Sequence, residues 1–324
     1  MNINCFVFST AFTMLLLLVG CQTSSPTKSS AELDVMSFNI RNGKANDGEN
    51  RWERRRELVC GVIQQYKPDV LGVQEAYRFQ LDELATCLPG YREIGEGRDG
   101  GTANEYCAIL YRAERFDVAA SGTFWLSDTP EVVSKSWGNT LHRVCTWARL
   151  IDKNTGRSFY FYNTHFDHRS QNARVESAKL IAKRIADREY DDPVVLAGDF
   201  NAGEDNHAVR YLKGIPYEVP VSGPAFQYEP PIALVDTFRV AHPDATVVGT
   251  GNGGYTGKQD GAKIDYVFVT RDIEVIDAAI DQEPRDGRYP SDHYPVTAKL
   301  QLIPLRPKIS EEDLQQLESD AEHR

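Results

Sequence analysis

The amino-acid sequence predicts an α/β protein in which β-sheets pack face to face and helices cover the outside. Strands and helices alternate in the first part of the chain, and a long run of strands without helices then follows. Long runs of both element types within one chain are typical of such layered architectures. No internal repeat or second linker divides the chain, so we expect one large domain.

The first predicted elements are a strand, a helix and a second strand. The strand is LDVMSFNI, and a loop rich in Gly and Asn separates it from the helix RWERRRELVCGVIQQY. Asn50 and Glu53 have the spacing of a capping box at the start of this helix, and Pro68 ends it. The strand DVLGVQEA follows. The apolar face of the helix consists of Leu58, Val59, Val62, Ile63 and Tyr66.

The later elements are predicted from the period of their apolar residues. Short apolar runs bounded by turn residues indicate strands, and apolar residues three or four apart indicate helices. In chain order they are the helix RFQLDELATCL, the strands YCAILYRA, FDVAASGTFWLS, HRVCTWARLID and SFYFYNTHFDH, the helix QNARVESAKLIAKRIAD, the strand VVLAGD, and the strands GAKIDYVFVT, IEVIDAAI and YPVTAKLQL.

Both ends of the chain are predicted to lie outside the folded domain. Residues 1–20 have a short apolar core typical of a signal peptide, and LVGC resembles a bacterial lipobox in which Cys21 is acylated. The absence of Lys and Arg before that core leaves a plain secretory signal or a membrane anchor as alternatives. Residues 21–32 read as a polar tether, 33–303 as the domain and 304–324 as an acidic tail with one short helix. We therefore expect a lipid-anchored protein of the cell envelope, on its periplasmic or extracellular face.

The composition is that of an acidic globular protein. The chain has 324 residues and a formal net charge of −11. An acidic surface repels polyanions, which argues against a protein that coats DNA. A metal ion would supply local positive charge, so a metal site could still bind phosphate. The basic run RWERRREL contains its own glutamates and is interpreted as the solvated face of one helix.

Four cysteines lie within the predicted domain, at Cys60, Cys87, Cys107 and Cys145. Their spacings fit no zinc-binding pattern. Export would favour disulfides, but the sequence leaves open whether these residues are buried thiols or form one or two disulfides.

The stretch VVLAGDFNAGED begins as a buried strand and ends in polar residues. Side chains alternate along a strand, so Asp199 and Asn201 should point to the same face. The alternative is a turn into a short helix capped by Asp205 or Asn206, because Asp and Asn favour such positions. The other strands decide between these interpretations.

Polar side chains end several other predicted strands in the same way. Each has an ordinary structural interpretation, such as a helix cap for Glu75, a turn for Asn39 or a buried structural role for His293. Together they would place many ionisable groups at one rim of a core, and such clusters usually mark function. These residues are Asn39, Glu75, Asn163, His165, Asp167, Asp265, Asp292 and His293.

The residue types suit metal-assisted chemistry at phosphate. Hard divalent ions such as Mg²⁺ prefer oxygen ligands, which these carboxylates and amides offer. His293 paired with Asp265 or Asp292 could act as a general base on water or bind a phosphoryl oxygen. His165 could protonate a leaving group or hold another phosphate oxygen. Asp199 and Asn201, at the end of VVLAGDFN, are then interpreted as site residues that a rigid strand positions.

These motifs resemble those of the endonuclease/exonuclease/phosphatase superfamily, which includes exonuclease III, pancreatic DNase I, neutral sphingomyelinases and inositol-polyphosphate 5-phosphatases. The matching motifs, in the family's order, are SFNIR, LGVQEA, NTHFDH, LAGDFNA, KIDYVFV and SDHYPV, from about Leu33 to about Leu302. The resemblance implies a four-layer α/β sandwich of the DNase I-like fold, with two packed mixed β-sheets flanked by helices. It also implies hydrolysis of a phosphate ester with one or two Mg²⁺ or Mn²⁺ ions.

The resemblance further implies roles for single residues. Glu75 and Asn39 match metal-site residues, and Asp292 lies near the metal. Asp199 and Asn201 match the pair that positions water and phosphate, with Asp199 a candidate base.

Two histidines and an arginine complete the implied site. His293 matches the catalytic histidine that Asp265 orients. His165 matches the histidine of DNase I-like and sphingomyelinase-like members rather than the tyrosine of exonuclease III-like enzymes. Arg143, in LHRVCTWARL, matches a phosphate-facing arginine, and the alternative is a surface strand residue.

The sequence as a whole favours a lipid-anchored, Mg²⁺- or Mn²⁺-dependent phosphoesterase that acts as a monomer outside the cytoplasm. The resemblance does not fix the substrate. The acidic charge favours a small-molecule or lipid-headgroup ester over nucleic acid. The alternatives are a DNase I-like nuclease and a surface lipoprotein that keeps the fold as a non-catalytic binding module.

Overall fold

A computed structural model describes residues 32–216 and 229–303. The predicted signal peptide, the acylation site Cys21 and the acidic tail lie outside these ranges. Among the helices that are described, none combines the length and the apolar character needed to cross a membrane.

The described ranges contain twelve strands and five α-helices. The strands are β1 (Glu32–Asn39), β2 (Val70–Ala76), β3 (Tyr91–Ile94), β4 (Tyr106–Arg112), β5 (Phe116–Trp125), β6 (Val144–Asp152), β7 (Ser158–His165), β8 (Val194–Asp199), β9 (Val235–Asp236), β10 (Asp265–Val269), β11 (Ile273–Ile280) and β12 (Val296–Leu302). The helices are α1 (Trp52–Tyr66), α2 (Arg78–Cys87), α3 (Gln171–Ala186), α4 (His207–Leu212) and α5 (Thr237–Ala241), and a 3-10 turn covers Gly48–Asn50. The strands β3 and β9 and the helix α5 were not predicted from the sequence, because elements of two to five residues carry little periodic signal.

The strands form two six-stranded mixed sheets. Sheet A has the order β11-β12-β1-β2-β4-β3, and sheet B has the order β5-β6-β7-β8-β10-β9. Each sheet contains one central parallel pair, β1 with β2 and β7 with β8. The remaining neighbours pair in antiparallel fashion.

Three apolar clusters hold these elements in four layers. Alternate side chains of β8 show the pattern: Val195 and Ala197 pack between the sheets, whereas Val194 and Leu196 belong to the cluster that includes α3 and α4. A third cluster joins α1 and α2 to the outer face of sheet A. The predicted four-layer α/β sandwich is therefore confirmed.

Helix capping agrees with the sequence at α4 and differs at α1. Arg51 is the N-cap of α1 and its side chain forms no capping hydrogen bond with the described residues, so the capping box predicted from Asn50 and Glu53 is wrong. The reason is that Asn50 belongs to the preceding 3-10 turn, which already redirects the chain. At α4, Asn206 is the N-cap and its side chain accepts the Ala208 N–H, as one of the two predictions had it.

The structure settles the state of the four domain cysteines. Cys60 in α1 and Cys87 at the end of α2 form a disulfide, with their Cα atoms 6.2 Å apart. Cys107 and Cys145 are buried free thiols. One covalent link thus joins the two helices that cover sheet A.

Candidate active site

The candidate site lies at one rim of the sandwich, where strand ends from both sheets meet. The parallel strands β1, β2, β7 and β8 bring their carboxyl ends to this rim. β12 and β10 run antiparallel to β1 and β8, so they begin here. The two sheets are in direct contact at the rim, because Asn39 Nδ2 donates to Asp199 Oδ2 at 3.0 Å. Topology therefore explains why so many strands start or end in polar residues.

Glu75 reaches the site through a β-bulge. The pairing of β2 with β4 is regular up to Val73 and Ala108 and resumes at Ala76 and Tyr106, so two residues of β2 oppose one of β4. Glu75 has a φ of 62°, which lies in the left-handed region that non-glycine residues seldom adopt. The bulge thus interrupts strand alternation and redirects this carboxylate.

Asn39 bridges carboxylates from the two sheets. Its Nδ2 donates to Glu75 Oε1 at 3.1 Å as well as to Asp199. Its Oδ1 accepts the Arg41 N–H at 3.0 Å. Asn39 is therefore placed among the predicted metal-site residues, where it orients two carboxylates through its amide nitrogen.

The surroundings of Glu75 keep it ionised. Its Oε2 accepts the Asn42 N–H at 2.8 Å. Burial opposes ionisation, but the charge of His293 and the hydrogen bonds from Asn42 and Asn39 outweigh it, so the pKa of Glu75 lies below its ordinary value. A fixed carboxylate facing a cleft is a suitable cation ligand.

His165 and Asp199 lie side by side on the central parallel strands of sheet B. They pair in register, and His165 Nε2 is 3.4 Å from Asp199 Oδ2. The strands approach closely just before this pair: a Cβ on Gly198 would lie 2.3 Å from the Thr164 carbonyl oxygen. Glycine at this position therefore permits the contact between the two functional side chains.

His293 lies between two carboxylates. Its Nδ1 is 2.9 Å from Asp265 Oδ2, and its Nε2 is 3.8 Å from Asp199 Oδ2. Burial alone would lower the pKa of His293, but the charges of Asp265 and Asp199 raise it well above its ordinary value. Of the two partners that the sequence allowed, Asp265 rather than Asp292 forms the hydrogen bond.

Burial shifts the pKa values of the other two central groups, Asp199 and His165. Burial and the charge of Asp265 raise the pKa of Asp199, although His293 opposes them. Burial, aided by the charges of Arg143 and His293, lowers the pKa of His165 well below its ordinary value. The site thus combines a charged His293 with a neutral His165.

Arg143 is buried, with 4% of its surface exposed, so its alternative interpretation as a surface strand residue is wrong. Its NH2 lies 3.1 Å from His168 Nδ1. Its Nε has no hydrogen-bond partner among the described residues. Burial and the charge of Arg98 lower the pKa of Arg143. A buried guanidinium without a paired carboxylate is costly, and an anion bound in the cleft would offset that cost.

Asn201 lines the same cleft but arrives there differently from the prediction. β8 ends at Asp199, and Asn201 has a φ of 47°, so strand alternation does not set its direction. Instead, Asp199 Oδ1 accepts the Asn201 N–H at 2.9 Å. Asn201 Nδ2 donates to the Phe166 carbonyl oxygen at 3.0 Å. A tight turn therefore holds the pair together.

Asp292 lies at the edge of the cluster, where its Oδ2 is 3.5 Å from Arg41 NH1. Burial raises the pKa of Asp292, and the nearby charge of Glu75 adds to this, while His293 and Arg41 act in the opposite direction. A bound cation would favour the ionised form of Asp292, which burial and the charge of Glu75 disfavour.

Two sets of side chains could hold that cation. Glu75 and Asp292 offer carboxylate oxygens alone, which suit Mg²⁺ or Mn²⁺. Ligand atoms of Asp199, Asp265 and His293 also lie within 4.8 Å of one another. In that second set Asp265 already binds His293 Nδ1. By donor type, a hard divalent ion is therefore better suited to the carboxylate oxygens of Glu75 and Asp292 than to the set that contains a histidine.

Sequence reasoning missed part of the cleft wall. Arg98 NH1 donates to Glu105 Oε2 at 2.5 Å, and Asn42 Nδ2 donates to Glu105 Oε1 at 2.9 Å. These three residues line the cleft together with His168. They come from loops and a strand start without periodic signal, and the sequence pattern alone gave no indication of them.

One residue of the basic run in α1 also departs from its prediction as a solvated face. Arg55 is fully buried. Its guanidinium donates to the carbonyl oxygens of Ile40 at 2.5 Å, Arg41 at 2.9 Å and Pro290 at 3.1 Å. It thereby ties the loop after β1 to the segment that precedes Asp292.

Two polar residues of β7 and its extension serve the framework instead of lining the cleft. Asp167 Oδ1 accepts the N–H groups of Arg169 at 2.8 Å and Ser170 at 2.6 Å, which forms a turn before α3. Asn163 is buried between the sheets and donates to the Val73 and Ala108 carbonyl oxygens. The shared face expected from alternation ends with β7 at His165.

Comparison with known proteins shows similar chains of several kinds. A mannosyl-6-phosphatase of Bacteroides thetaiotaomicron is 33% identical, with a TM-score of 0.72 and coverage of 83% of this chain and 99% of that one. An endonuclease/exonuclease/phosphatase of Bacteroides vulgatus is also 33% identical, with a TM-score of 0.73 and coverage of 84% and 99%.

Nocturnin of Drosophila melanogaster is 24% identical over 329 residues, which cover 84% of this chain and 47% of nocturnin. The chain spans 47–60% of the length of the first curated relatives that it matches. Residues 36–293 match the Endonuclease/Exonuclease/phosphatase family across the whole of the site. The chain belongs to this family of phosphoester-hydrolysing enzymes.

Proposed function

We propose that this protein is an Mg²⁺- or Mn²⁺-dependent phosphoesterase that hydrolyses a small phosphate ester outside the cytoplasm. One observation carries the proposal: Arg143 is buried, pairs with no carboxylate among the described residues, and lines the cleft that also contains Glu75, Asp199 and His293. An anion at Arg143 would therefore lie within the same cleft as the candidate metal ligand Glu75 and as His293.

The residues divide the work of hydrolysis. A divalent ion held by Glu75 and Asp292 would neutralise negative charge on the phosphoryl group. His293, held protonated by Asp265, would bind a phosphoryl oxygen. Asp199, whose pKa is raised, is suited to accept a proton from the attacking water.

The remaining groups position the phosphate. His165 is neutral, so its N–H is better suited to hold a phosphate oxygen than to protonate a leaving group. Asn201 is fixed beside Asp199 by backbone hydrogen bonds, and Arg143 supplies the buried positive charge. Preorganised donors of this kind stabilise charge that develops in the transition state.

The dimensions and lining of the cleft support a small polar substrate. Its volume is about 300 Å³, enough for a phosphate with a compact polar group. Arg98, Glu105 and Asn42 place donors and an acceptor along one wall, which suits hydroxyl groups. The similarity to a mannosyl-6-phosphatase points the same way. We therefore favour a sugar phosphate or a lipid headgroup over nucleic acid as the substrate.

Export is part of the proposal. The disulfide between Cys60 and Cys87 is of the kind that persists in oxidising compartments. The lipobox-like LVGC would attach the mature chain to a membrane through acylated Cys21, which lies outside the described residues. Mass spectrometry of the mature N-terminus should find that lipid, and an unprocessed Met1 would contradict it.

The proposed reaction can be tested with two chromogenic substrates. The purified protein should hydrolyse p-nitrophenyl phosphate or bis-p-nitrophenyl phosphate with Mg²⁺ or Mn²⁺, and the rate ratio separates monoesterase from diesterase activity. His293→Ala should lose the activity, whereas His242→Ala, which removes a histidine bonded to the Ala278 carbonyl oxygen, should retain it. Absence of hydrolysis of both esters, together with tight binding of a phosphate ester, would favour the non-catalytic alternative.

A further inference from the structure

The bulge that aims Glu75 is contacted by one side chain from the opposite sheet. Asn163, in β7, donates from Nδ2 to the Val73 carbonyl oxygen at 2.9 Å and to the Ala108 carbonyl oxygen at 2.8 Å. Val73 and Ala108 are the last regular pair of β2 and β4 before the bulge. The amide of Asn163 thus fixes the backbone at the point where the register changes.

A second bond ties the same amide to the residue next to Glu75. Gln74 Nε2 donates to Asn163 Oδ1 at 2.6 Å, and it also lies 3.2 Å from Ser37 Oγ in β1. Gln74 and Asn163 are both fully buried. Both donors of the Asn163 amide and its acceptor are therefore occupied, so its orientation is determined by its surroundings.

The sequence around this contact leaves space for it. A Cβ on Gly72 would lie 2.7 Å from Asn163 Cγ and Oδ1, so any larger residue would displace the amide. Asn163 is also two residues before His165 on the same strand. The contact therefore joins the strand that carries Glu75 in sheet A to the strand that carries His165 in sheet B.

We propose that Asn163 is a positioning residue for the metal site: by bonding the bulge of β2 across the interface between the sheets, it directs the Glu75 carboxylate into the cleft. The proposal rests on the metal site of the proposed function. Buried polar groups that fix the carriers of metal ligands change metal affinity by about 10–100-fold when they are removed. An apolar residue of similar size at position 163 would release the bulge and leave the carbonyl oxygens of Val73 and Ala108 without this partner.

The test is direct binding of Mn²⁺, measured by electron paramagnetic resonance on the whole protein without substrate. Asn163→Leu should weaken Mn²⁺ binding by about 10–100-fold, while circular dichroism shows a folded protein. Gly72→Ala provides a second variant, because it displaces the Asn163 amide without removing it. At saturating Mn²⁺ the kcat of both variants should return close to the wild-type value, although more Mn²⁺ is needed to reach it.

Thr164→Val is the matched control. It removes a buried hydrogen bond from the neighbouring residue of the same strand, in which Thr164 Oγ1 donates to the Val144 carbonyl oxygen at 3.1 Å within sheet B. It should lower stability but leave Mn²⁺ affinity within about twofold of the wild type. Unchanged Mn²⁺ affinity in folded Asn163→Leu and Gly72→Ala, or equal weakening in Thr164→Val, would overturn the positioning role. If the wild type itself binds no Mn²⁺, the proposed metal-dependent function fails instead.

Discussion

Replacing Arg143 with methionine should raise the stability of the protein and lower its catalytic activity. Arg143→Met keeps a long side chain in a site that is 4% exposed and removes a buried charge that pairs with no carboxylate in the described part of the chain. Replacing buried charged groups with apolar residues of similar volume is often stabilising, and we expect a gain of about 1–2 kcal/mol in the free energy of unfolding. For a domain of this size that gain corresponds to a rise in Tm of roughly 2–8 °C.

The same change should sharply reduce catalysis. Two charge-assisted hydrogen bonds from Arg143 to phosphoryl oxygens are worth at least about 1.5 kcal/mol each. Losing about 3 kcal/mol of transition-state stabilisation lowers kcat/KM by roughly 100-fold. Urea unfolding of the ligand-free protein and steady-state hydrolysis of p-nitrophenyl phosphate measure the two effects on one preparation.

Arg149→Met is the control, since Arg149 lies on β6, the strand that Arg143 directly precedes, but is paired. Its Nε donates to Asp192 Oδ2 at 2.7 Å, and its guanidinium lies 3.9 Å from the centre of the Tyr190 ring. This variant should lose stability and keep kcat/KM within about twofold, because its interactions are structural. If Arg143→Met lost as much stability as Arg149→Met, or kept full activity, the assignment of Arg143 as an anion ligand would be refuted.

Three further predictions follow from the site and the fold. Glu75→Gln should weaken Mn²⁺ binding while the unfolding midpoint of the metal-free protein changes little. EDTA should abolish the activity of the wild type, and Mg²⁺ or Mn²⁺ should restore it. Full activity in the presence of chelator would exclude the metal mechanism. Asp265→Asn should reduce kcat by about 10²–10⁴-fold and lower the pKa of His293. The raised pKa of His293 in the folded state stabilises the wild type below the unfolded pKa of about 6.5, and this contribution is lost as pH rises through the folded-state value, so the stability deficit of the variant should shrink at alkaline pH. An NMR titration that finds the pKa of His293 unchanged in the variant would contradict this. Cys60→Ser with Cys87→Ser should lower the free energy of unfolding by about 3–4 kcal/mol, the value expected for a loop closed by cysteines 27 residues apart, with little change in kcat/KM because the bond joins helices away from the cleft.

The fold could be predicted because strand and helix periods are strong in this sequence. The alternation of Val194, Val195, Leu196 and Ala197 between two apolar clusters is the pattern that a buried strand requires. Polar residues at strand ends also predicted most of the site, because parallel central strands bring their carboxyl ends to one rim. These features are local in sequence, so they are visible without a structure.

The parts that could not be predicted depend on contacts between distant segments. Asn201 enters the cleft through a left-handed turn, and Glu75 through a bulge, so simple alternation explains neither. Arg55 looks like a surface residue of an amphipathic helix, yet it is buried, and its guanidinium donates to the carbonyl oxygens of Ile40, Arg41 and Pro290. Arg98 lies in a loop, and only the tertiary structure places it at the cleft wall.

We expect one phosphate site, built from both sheets, to act on a small phosphate ester. A competition at physiological salt between a hexose 6-phosphate and plasmid DNA, at matched phosphate concentrations and with Mg²⁺ present, tests this expectation. The sugar phosphate should have the higher kcat/KM, because the cleft is small and the chain carries 47 acidic against 36 basic residues. Efficient cleavage of the plasmid, with a steep loss of rate between low and moderate salt, would contradict it and indicate a nuclease.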